Sequence, residues 1–361
     1  MQHSIRTILK NRFLLFLICF VLFTKIPAIA QTVITNSLSF TFTGDIMLGT
    51  DYPSKEFLPP KSRNFLLEIK KYLTNSVFTA GNLEGSICSH SAKARKSGKN
   101  SYSFRTPLAL AGYLKDAGFN ILNLANNHSF DFGQTGFTET TDFLTERNIG
   151  FCGIKDQVHI STAGELKVAW AGFSPYNRHN NINDIPSAQK LIKSLRNTAD
   201  IIVVSFHGGA EGEDALDVPG KTEYFYNENR GDVQNFARSC IDAGADIIWG
   251  HGPHVLRAME IYRERIIMYS LGNFCGYRRF KVQGAAGLSV IARITVLEDG
   301  TFSGGTLIPL LLRPLGIPVF DDSHAAIQLI KDLSSRNYPS SPLIIGEDGS
   351  LKKNSEYHHT D

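Results

Sequence analysis

The apolar run "DIIVVSF" at residues 200–206 limits the fold of this 361-residue chain more than any other stretch. Its β-branched residues favour a strand, and an unbroken apolar run is typical of a strand that is buried on both faces. Sheets with two buried faces are mostly parallel and carry helices on each side. The run therefore predicts an α/β protein.

Strand and helix patterns alternate along most of the chain. Besides residues 200–206, strands are predicted at residues 39–45, 76–85, 119–124 and 245–250, and apolar residues recur at helical spacing between and after them. These helical patterns lie at residues 64–73, 108–118, 135–148, 188–197 and 232–244. From residue 258 onward the pattern changes to paired strands with tight turns, and the tail from about Ser334 is predicted to be mostly irregular. The expected architecture is two packed sheets with helices outside.

The first thirty residues have the layout of an export signal. Basic residues precede an apolar run at residues 13–23, and "AIA" at residues 28–30 follows it. That run has 11 residues, whereas a membrane-spanning helix needs roughly 20. We therefore expect cleavage after Ala30 and a periplasmic or extracellular protein, with a membrane-anchored form as the alternative if the leader is retained.

Charge argues against nucleic-acid binding. The full chain has a formal net charge of +3, but the four basic residues of the leader carry +4, so the mature chain has a charge of about −1. The basic stretch "KARKSGK" at residues 93–99 is isolated and is best explained as a solvated loop.

Four cysteines remain after the leader, and none forms a CxxC pair. They are Cys88, Cys152, Cys240 and Cys275. Such spacing favours isolated thiols over a zinc site or a disulfide framework, although export would permit a bridge.

Polar side chains follow the ends of five predicted strands, where function concentrates in open α/β sheets. They are Asp45; Asn82 and Glu84; Asn127 and His128; His207; and His251 with His254. Each one alone has a plain structural explanation, such as a helix cap, a turn or a hydrogen-bonded core histidine. Together they offer carboxylate, amide and imidazole ligands, which suit Mn²⁺, Fe²⁺ or Zn²⁺. Two such ions would need a negative bridge, for which Asp45 and Glu84 are the candidates.

Seven spaced motifs between about Phe40 and Phe274 carry a family resemblance. They are "GDIMLG", "GNLEG", "SFRTP", "LKDAGFNILNLANNHSFDFGQTGF", "VSFHGGAEG", "CIDAGADIIWGHGPHVLRAMEI" and "YSLGNF". In this order they resemble the CapA family of bacterial capsule-synthesis proteins, which is linked to poly-γ-glutamate and related to calcineurin-like metallophosphatases. The resemblance implies a four-layer α-β-β-α sandwich with a late antiparallel portion. The expected organisation is a signal at 1–30, this domain at 38–315, and a C-terminal helix and flexible tail at 316–361.

The resemblance also implies roles for the polar residues, with two metal ions at the strand ends. Asp45 resembles the first metal ligand, and Glu84 or Asn82 stands at the position of a bridging aspartate. Asn127 resembles an amide ligand with His128 as the adjacent proton donor. The remaining imidazole ligands would be His207, His251 and His254.

Three more residues are candidates beside this set. Asp131 would orient His128 as its charge partner, and a structural turn role for Asp131 is an equal alternative. Arg105 and Glu211 match family positions and would bind substrate, because a guanidinium fork suits a phosphate or a carboxylate.

The chain departs from the family pattern at three positions. Met47 stands where the phosphatases have a histidine, Gly208 replaces a tryptophan, and Gly252 replaces the second histidine of "GHHPH". The walls of the site or the number of metal ions would differ accordingly.

Two functions remain open from the sequence. The first is a metal-dependent hydrolase that acts on a phosphoester or a γ-glutamyl-type bond. The second is a non-catalytic, metal-binding accessory subunit that binds or guides an anionic polymer. Membrane synthase or export proteins are possible partners in either case.

Overall fold

A computed structural model describes residues 37–60, 64–95 and 102–356. The predicted leader and the terminal "HHTD" lie outside the described residues, as do parts of the basic loop. Within the described ranges, no helix is long and apolar enough to cross a membrane.

The described part of the chain contains six α-helices and 21 strands. The helices are α1 Lys70–Leu73, α2 Leu108–Ala117, α3 Gly133–Glu146, α4 Ile185–Leu195, α5 Val233–Asp242 and α6 Ala325–Asn337. The strands are β1 Ser37–Met47, β2 Phe78–Leu83, β3 Ser86–Ile87, β4 Arg105–Thr106, β5 Ile121–Asn123, β6 Gly150–Cys152, β7 His159–Ala163, β8 Leu166–Ser174, β9 Asn180–Asn181, β10 Ile201–His207, β11 Glu223–Phe225, β12 Glu228–Gly231, β13 Ile247–His251, β14 Met259–Tyr262, β15 Arg265–Met268, β16 Asn273–Gly276, β17 Leu288–Leu297, β18 Phe302–Arg313, β19 Ile317–Phe320, β20 Leu343–Ile345 and β21 Ser350–Lys353.

Two large sheets contain most of the strands. The first has the order β20-β21-β18-β17-β1-β2-β5-β6, with β16 beside β1 and β19 beside β18. The second has the order β14-β15-β13-β10-β8-β7, with β9 beside β8. In the first sheet, neighbouring strands pair in parallel along β1, β2, β5 and β6. The pairing is antiparallel between β1 and β17 and onward along β18, β21 and β20. In the second sheet, β8, β10, β13 and β15 pair in parallel. The late antiparallel portion is therefore present.

Strand β10 is buried on both faces, as its apolar run predicts. Ile201 and Val203 pack in the cluster between the two sheets, whereas Ile202 and Val204 pack against helices α4 and α5. This alternation follows from the two-residue period of a strand. One short segment thereby joins two layers of the core.

Three buried clusters separate four layers. Between the sheets, Phe42 of β1 packs against Trp249 of β13, with ring centroids 5.5 Å apart. Helices α2 and α3 cover the outer face of the first sheet, where Leu114 and Phe143 join Leu122 of β5. Helices α4 and α5 cover the second sheet. The predicted α-β-β-α sandwich is confirmed.

The helix predicted at residues 64–73 is shorter than expected. Only Lys70–Leu73 forms an α-helix, and the backbone amides of Leu67 and Ile69 instead bond carbonyls three residues earlier. The apolar residues of the segment, including Leu66, are nevertheless buried. The amphipathic pattern thus identified a packed segment but not its hydrogen bonding.

The prediction of an irregular tail is wrong for the two strands β20 and β21. Strand β21 pairs with β18 and β20 pairs with β21, so both extend the first sheet. Ile345 and Leu351 are buried in the core between the sheets. With three and four residues, these strands are too short to give a clear periodic pattern. The proposed domain boundary at residue 316 falls between β18 and β19, which are neighbours in one sheet.

Truncation after Tyr338 is expected to lower the free energy of unfolding by about 3 to 6 kcal/mol. It removes the buried side chains of Ile345 and Leu351, each of which contributes about 1.5 to 3 kcal/mol. Denaturant unfolding of the truncated chain checks this, with a chain ending at Glu356 as control. Equal stability of the two chains would show that the C-terminal strands do not support the fold.

The four cysteines of the described residues are buried and free. Burial raises the pKa of Cys88 and of Cys152 to about 12, so neither is a thiolate at neutral pH. The prediction of isolated thiols is confirmed.

Candidate metal centre

Strand register brings the predicted residues together from both sheets. Asp45 of β1 lies opposite Asn82 of β2, and His207 of β10 lies opposite His251 of β13. Because the parallel strands end on the same side, their last side chains share one edge of the sandwich. Glu84 follows β2 directly, and its backbone amide donates to the carbonyl of Ile46 at 2.9 Å.

A first cluster consists of Asp45, His207 and His251, which are all fully buried. One ligand atom from each lies within 4.8 Å of the others. The Nδ1 atoms of the two imidazoles are 3.2 Å apart, and Nδ1 of His251 is 3.8 Å from Oδ1 of Asp45. Burial lowers the pKa of His251 to about 4 and holds that of His207 well below its usual value. Both rings are therefore neutral at pH 7, which is the metal-binding form of imidazole.

A second cluster consists of Asp45, Glu84 and His254. Nδ1 of His254 is 3.2 Å from Oδ2 of Asp45, and its Nε2 is 4.0 Å from Oε2 of Glu84. The backbone of His254 has φ +58, a conformation that is uncommon for a residue with a side chain and that occurs at functional sites. Asp45 belongs to both clusters and so joins them.

The electrostatics of the two carboxylates favour a cation. Burial and the charge of Asp45 raise the pKa of Glu84 well above its usual value. Burial also disfavours the charged form of Asp45. The hydrogen bond from His254 and the charge of His254 outweigh this effect, so the pKa of Asp45 is lowered overall. Burial likewise disfavours the charged form of His254, yet Glu84 and Asp45 raise its pKa to about 10.

Two ligand atoms of the second cluster lack hydrogen-bond partners. Both side-chain oxygens of Glu84 are buried and accept no hydrogen bond within the described ranges. Leaving such atoms unsatisfied costs free energy, which a bound cation would offset. Carboxylate oxygens with imidazole nitrogens match the preferences of Mn²⁺, Fe²⁺ and Zn²⁺. The residues present therefore fit a divalent metal.

An amide network supports Asp45. Asn82 donates from Nδ2 to Oδ1 of Asp45 at 2.8 Å, and its own oxygen accepts from Asn123 at 2.8 Å and from Asn126 at 3.0 Å. Both polar atoms of Asn82 are thus used within the protein. Asn123 and Asn126 were not among the predicted site residues, although both lie in the motif that contains His128.

Two further residues orient the imidazoles and were also missed. Ser205 Oγ lies 2.8 Å from Nε2 of His251, which leaves Nδ1 of that ring facing His207 and Asp45. Oδ1 of Asn273 lies 2.9 Å from Nδ1 of His254. Asn273 belongs to the motif "YSLGNF", so the sequence contained a signal for it.

His128 forms a pair with Asp131. Nδ1 of His128 lies 2.8 Å from Oδ2 of Asp131, which also accepts the backbone amide of Phe104 at 2.9 Å. The ring of Phe104 packs against the imidazole, with centroids 4.3 Å apart. Phe280 lies 6.1 Å from Phe104 and 5.1 Å from His254, so one aromatic wall links the two histidines.

Three further residues were predicted for the site. The side-chain oxygen of Asn127 is buried, and its assignment as a metal ligand stays a prediction. Arg105 donates from Nε to Oδ1 of Asp51 at 2.6 Å, so part of its fork is used within the protein. Glu211 lies between Arg230, at 2.8 Å, and Nε2 of His254, at 3.9 Å. Substrate binding by Arg105 and Glu211 also stays a prediction.

All three positions at which the chain departs from the family pattern are closely packed. Met47 is fully buried beside Gly276 in the register of β1 and β16. A side chain at Gly208 would begin 2.9 Å from the carbonyl oxygen of Arg230, so a tryptophan would require strand β12 to move. Gly252 has φ +111, and a Cβ there would lie 3.2 Å from the ring of His207.

Gly208→Ala is expected to lower the free energy of unfolding by about 1 to 3 kcal/mol, because its methyl group would clash with β12 and Ile182. Gly112→Ala is the control, since a Cβ at Gly112 in helix α2 would meet nothing within 4 Å. The control should change stability by less than about 1 kcal/mol, in the stabilising direction. Denaturant unfolding measures both, and a neutral Gly208→Ala would contradict the packing described here.

Comparison with known proteins identifies one matching family and two similar CapA proteins. Residues 39–277 match the family described as "Bacterial capsule synthesis protein PGA_cap". The "Capsule biosynthesis protein CapA" of Bacillus anthracis is 29% identical over 331 residues, covering 83% of this chain and 74% of the relative. The "PGA biosynthesis protein CapA" of Bacillus subtilis is 31% identical over 264 residues, covering 68% of this chain and 64% of the relative.

Two more distant similarities complete the comparison. A "Probable polyglutamine synthesis accessory protein" of Mycobacterium tuberculosis is 27% identical, covering 55% of this chain and 56% of the relative. Among solved structures, a purple acid phosphatase from yellow lupin seeds is 11% identical with a TM-score of 0.37, covering 77% of this chain and 52% of the phosphatase. Because the profile match spans more than half of its residues, this chain belongs to the bacterial capsule synthesis family PGA_cap, which includes the CapA proteins.

Proposed function

We propose that this chain is an exported, metal-dependent hydrolase of capsule synthesis or export that acts on a phosphoester or a γ-glutamyl-type bond. The observation that carries the proposal is the convergence of two buried carboxylates with three imidazoles. Burying a carboxylate costs several kcal/mol unless a cation compensates it. The clusters are therefore better explained by metal binding than by stability of the fold.

Asp45, Glu84, His207, His251 and His254 would hold the metal, with Asn127 as a further amide ligand. Asp45 belongs to both clusters, which supports two ions, of manganese, iron or zinc. Asn82 is better suited to orienting Asp45 than to binding metal, because its two polar atoms already have partners. When bound, the ions would supply Lewis acidity that polarises the scissile bond and activates water.

His128 would act as the proton donor to the leaving group. Its Nδ1 is engaged by Asp131 at 2.8 Å, so Nε2 is the nitrogen left to hold and release a proton. Asp131 fixes the ring, and its second hydrogen bond, from the amide of Phe104, fixes Asp131. The ring of Phe104 covers one face of the imidazole and excludes water from it.

Export and an anionic polymer partner complete the proposal. The leader pattern supports export, and the capsule-related names of the relatives support association with an anionic polymer and with membrane synthase or export proteins. Mass spectrometry of the native protein should find a chain that begins at Gln31. An intact Met1 terminus would instead support a membrane-anchored form.

A hydrolysis screen tests the proposal directly. The mature chain, loaded in turn with Mn²⁺, Fe²⁺ or Zn²⁺, is assayed on p-nitrophenyl phosphate and on γ-glutamyl-p-nitroanilide, with the chelated protein as control. We expect turnover of one substrate only when metal is bound. Turnover that persists after chelation would rule out the metal-dependent mechanism.

A second candidate is a metal-binding accessory subunit without catalysis. The name of the mycobacterial relative supports it, and so does the buried Met47 at the position of a phosphatase histidine. Stoichiometric metal without turnover of either substrate would favour this function over hydrolysis.

A further inference from the structure

Arg230 of strand β12 is a buried cation beside the metal clusters. Its side chain is 1% exposed, and only one of its nitrogens, Nη1, has partners in the described part of the chain. Nη1 lies 2.8 Å from Oε1 of Glu211 and donates to the hydroxyl of Tyr176 at 3.1 Å, with Glu228 at 3.8 Å. The partners of Arg230 therefore occupy one end of the guanidinium.

The other edge of the guanidinium of Arg230 is unsatisfied. Nε and Nη2 are buried and have no hydrogen-bond acceptor among the described residues. These two nitrogens present parallel N–H bonds on one edge of the planar group, the arrangement that a phosphate or carboxylate accepts in bidentate fashion. Leaving them unsatisfied in the interior is costly, because an arginine stays charged.

Arg257 gives the contrast within the same molecule. It is equally buried, but its Nε donates to the carbonyl of Ala215 at 2.7 Å, and Nη1 and Nη2 donate to Glu223 at 3.0 and 2.7 Å. Arg257 thus has acceptors on all three nitrogens. Arg230 lacks acceptors on the edge that would bind an oxyanion.

Arg230 is held against the proposed reaction site. Its carbonyl oxygen accepts from the amide of Gly209, two residues after His207, at 2.9 Å. After burial, the charge of Arg230 is the largest influence that lowers the pKa of His207. Glu211, its ion-pair partner, reaches to 3.9 Å from His254. Gly208 lacks the side chain that would separate β12 from the site.

We propose that Arg230 forms an oxyanion subsite of the metal centre, in which Nε and Nη2 bind two oxygens of a phosphate or carboxylate group of the substrate. Glu211 and Tyr176 hold Nη1 and so fix the orientation of the fork. This inference rests on the proposed function of the same site, and it adds a substrate class: molecules with an oxyanion next to the bond that is cleaved.

Binding of two probes to the metal-loaded protein tests the subsite by calorimetry. The probes are inorganic phosphate and the dipeptide γ-glutamyl-glutamate, which represent the two sources of an oxyanion. We expect Arg230→Gln to weaken binding of one probe about 10- to 100-fold, with Arg230→Lys weakened as well because a lysine cannot form the fork. The probe that is affected identifies the source.

Arg238→Lys is the matched control, because the Nε and Nη2 of Arg238 already donate to Glu260 at 3.0 and 2.7 Å. It should bind both probes as the unmodified protein does. Unchanged affinity of folded Arg230→Gln for both probes would overturn the inference, and so would failure of the unmodified protein to bind either probe.

A second measurement needs no variant at Arg230. A crystal structure of the metal-loaded protein with the bound probe should have an oxygen of the probe within hydrogen-bond distance of Nε and Nη2. Water alone at these nitrogens would overturn the subsite. Binding and turnover are measured separately, so a protein that binds anions at Arg230 without hydrolysing either assay substrate contradicts the proposed function and leaves the subsite intact.

Discussion

His128→Ala is expected to lower metal-dependent turnover about 10²- to 10⁴-fold while leaving metal content nearly unchanged. This is the usual range for loss of general acid-base catalysis. His128 pairs with Asp131 at 2.8 Å and packs against Phe104, and it belongs to neither metal cluster. Its loss should therefore affect proton transfer and not metal binding.

His207→Ala should behave differently. It removes a fully buried imidazole of the first cluster, so metal occupancy and melting temperature should fall together. Metal content, melting temperature and rate measured on both variants distinguish the two roles. If His128→Ala loses metal as readily as His207→Ala, His128 is a ligand. If it lowers stability but leaves the rate per folded molecule intact, His128 is a structural residue.

Glu223→Ala is expected to lower the free energy of unfolding by about 3 to 5 kcal/mol. It leaves the fully buried guanidinium of Arg257 without its carboxylate partner, which is a large cost in the interior. Arg257 and Glu223 also bond the backbone of Ala210 and Ala215, so the pair fixes the loop that carries Glu211. Denaturant unfolding provides the measurement.

Two comparisons sharpen this prediction. Replacing both members, as in Glu223→Leu with Arg257→Met, should recover much of the loss, because no charge is then left unpaired. Asp217→Ala removes an exposed partner of Arg336 and should cost no more than about 1 kcal/mol. A Glu223→Ala protein as stable as Asp217→Ala would contradict the role given to the buried pair.

Local patterns were sufficient to predict the layers and the convergence of five polar side chains. The run at residues 200–206 has apolar residues on both faces, and this alone implies cover on each side. The polar residues that follow each strand converge because parallel strands end at one edge. Asp45, Glu84, His207, His251 and His254 were therefore identifiable before any contact was known.

The sequence was less informative where contacts are distant or elements are short. Arg230 has partners in Tyr176 and Glu211, which are far from it along the chain, and no spacing rule indicates that its charge is buried. Strands β20 and β21 are recognisable mainly through their pairing with β18. Segment 64–73 has the right apolar spacing for a helix, but its first backbone bonds span three residues and not four.

The metal content of the purified mature chain tests the central claim most directly. After loading with Mn²⁺, Fe²⁺ or Zn²⁺ and dialysis, the unmodified protein should retain two ions per chain, and metal should raise its melting temperature. A variant with Asp45→Asn and Glu84→Gln should retain none. A folded, unmodified protein that retains no metal, or a double variant that retains as much, would contradict the account.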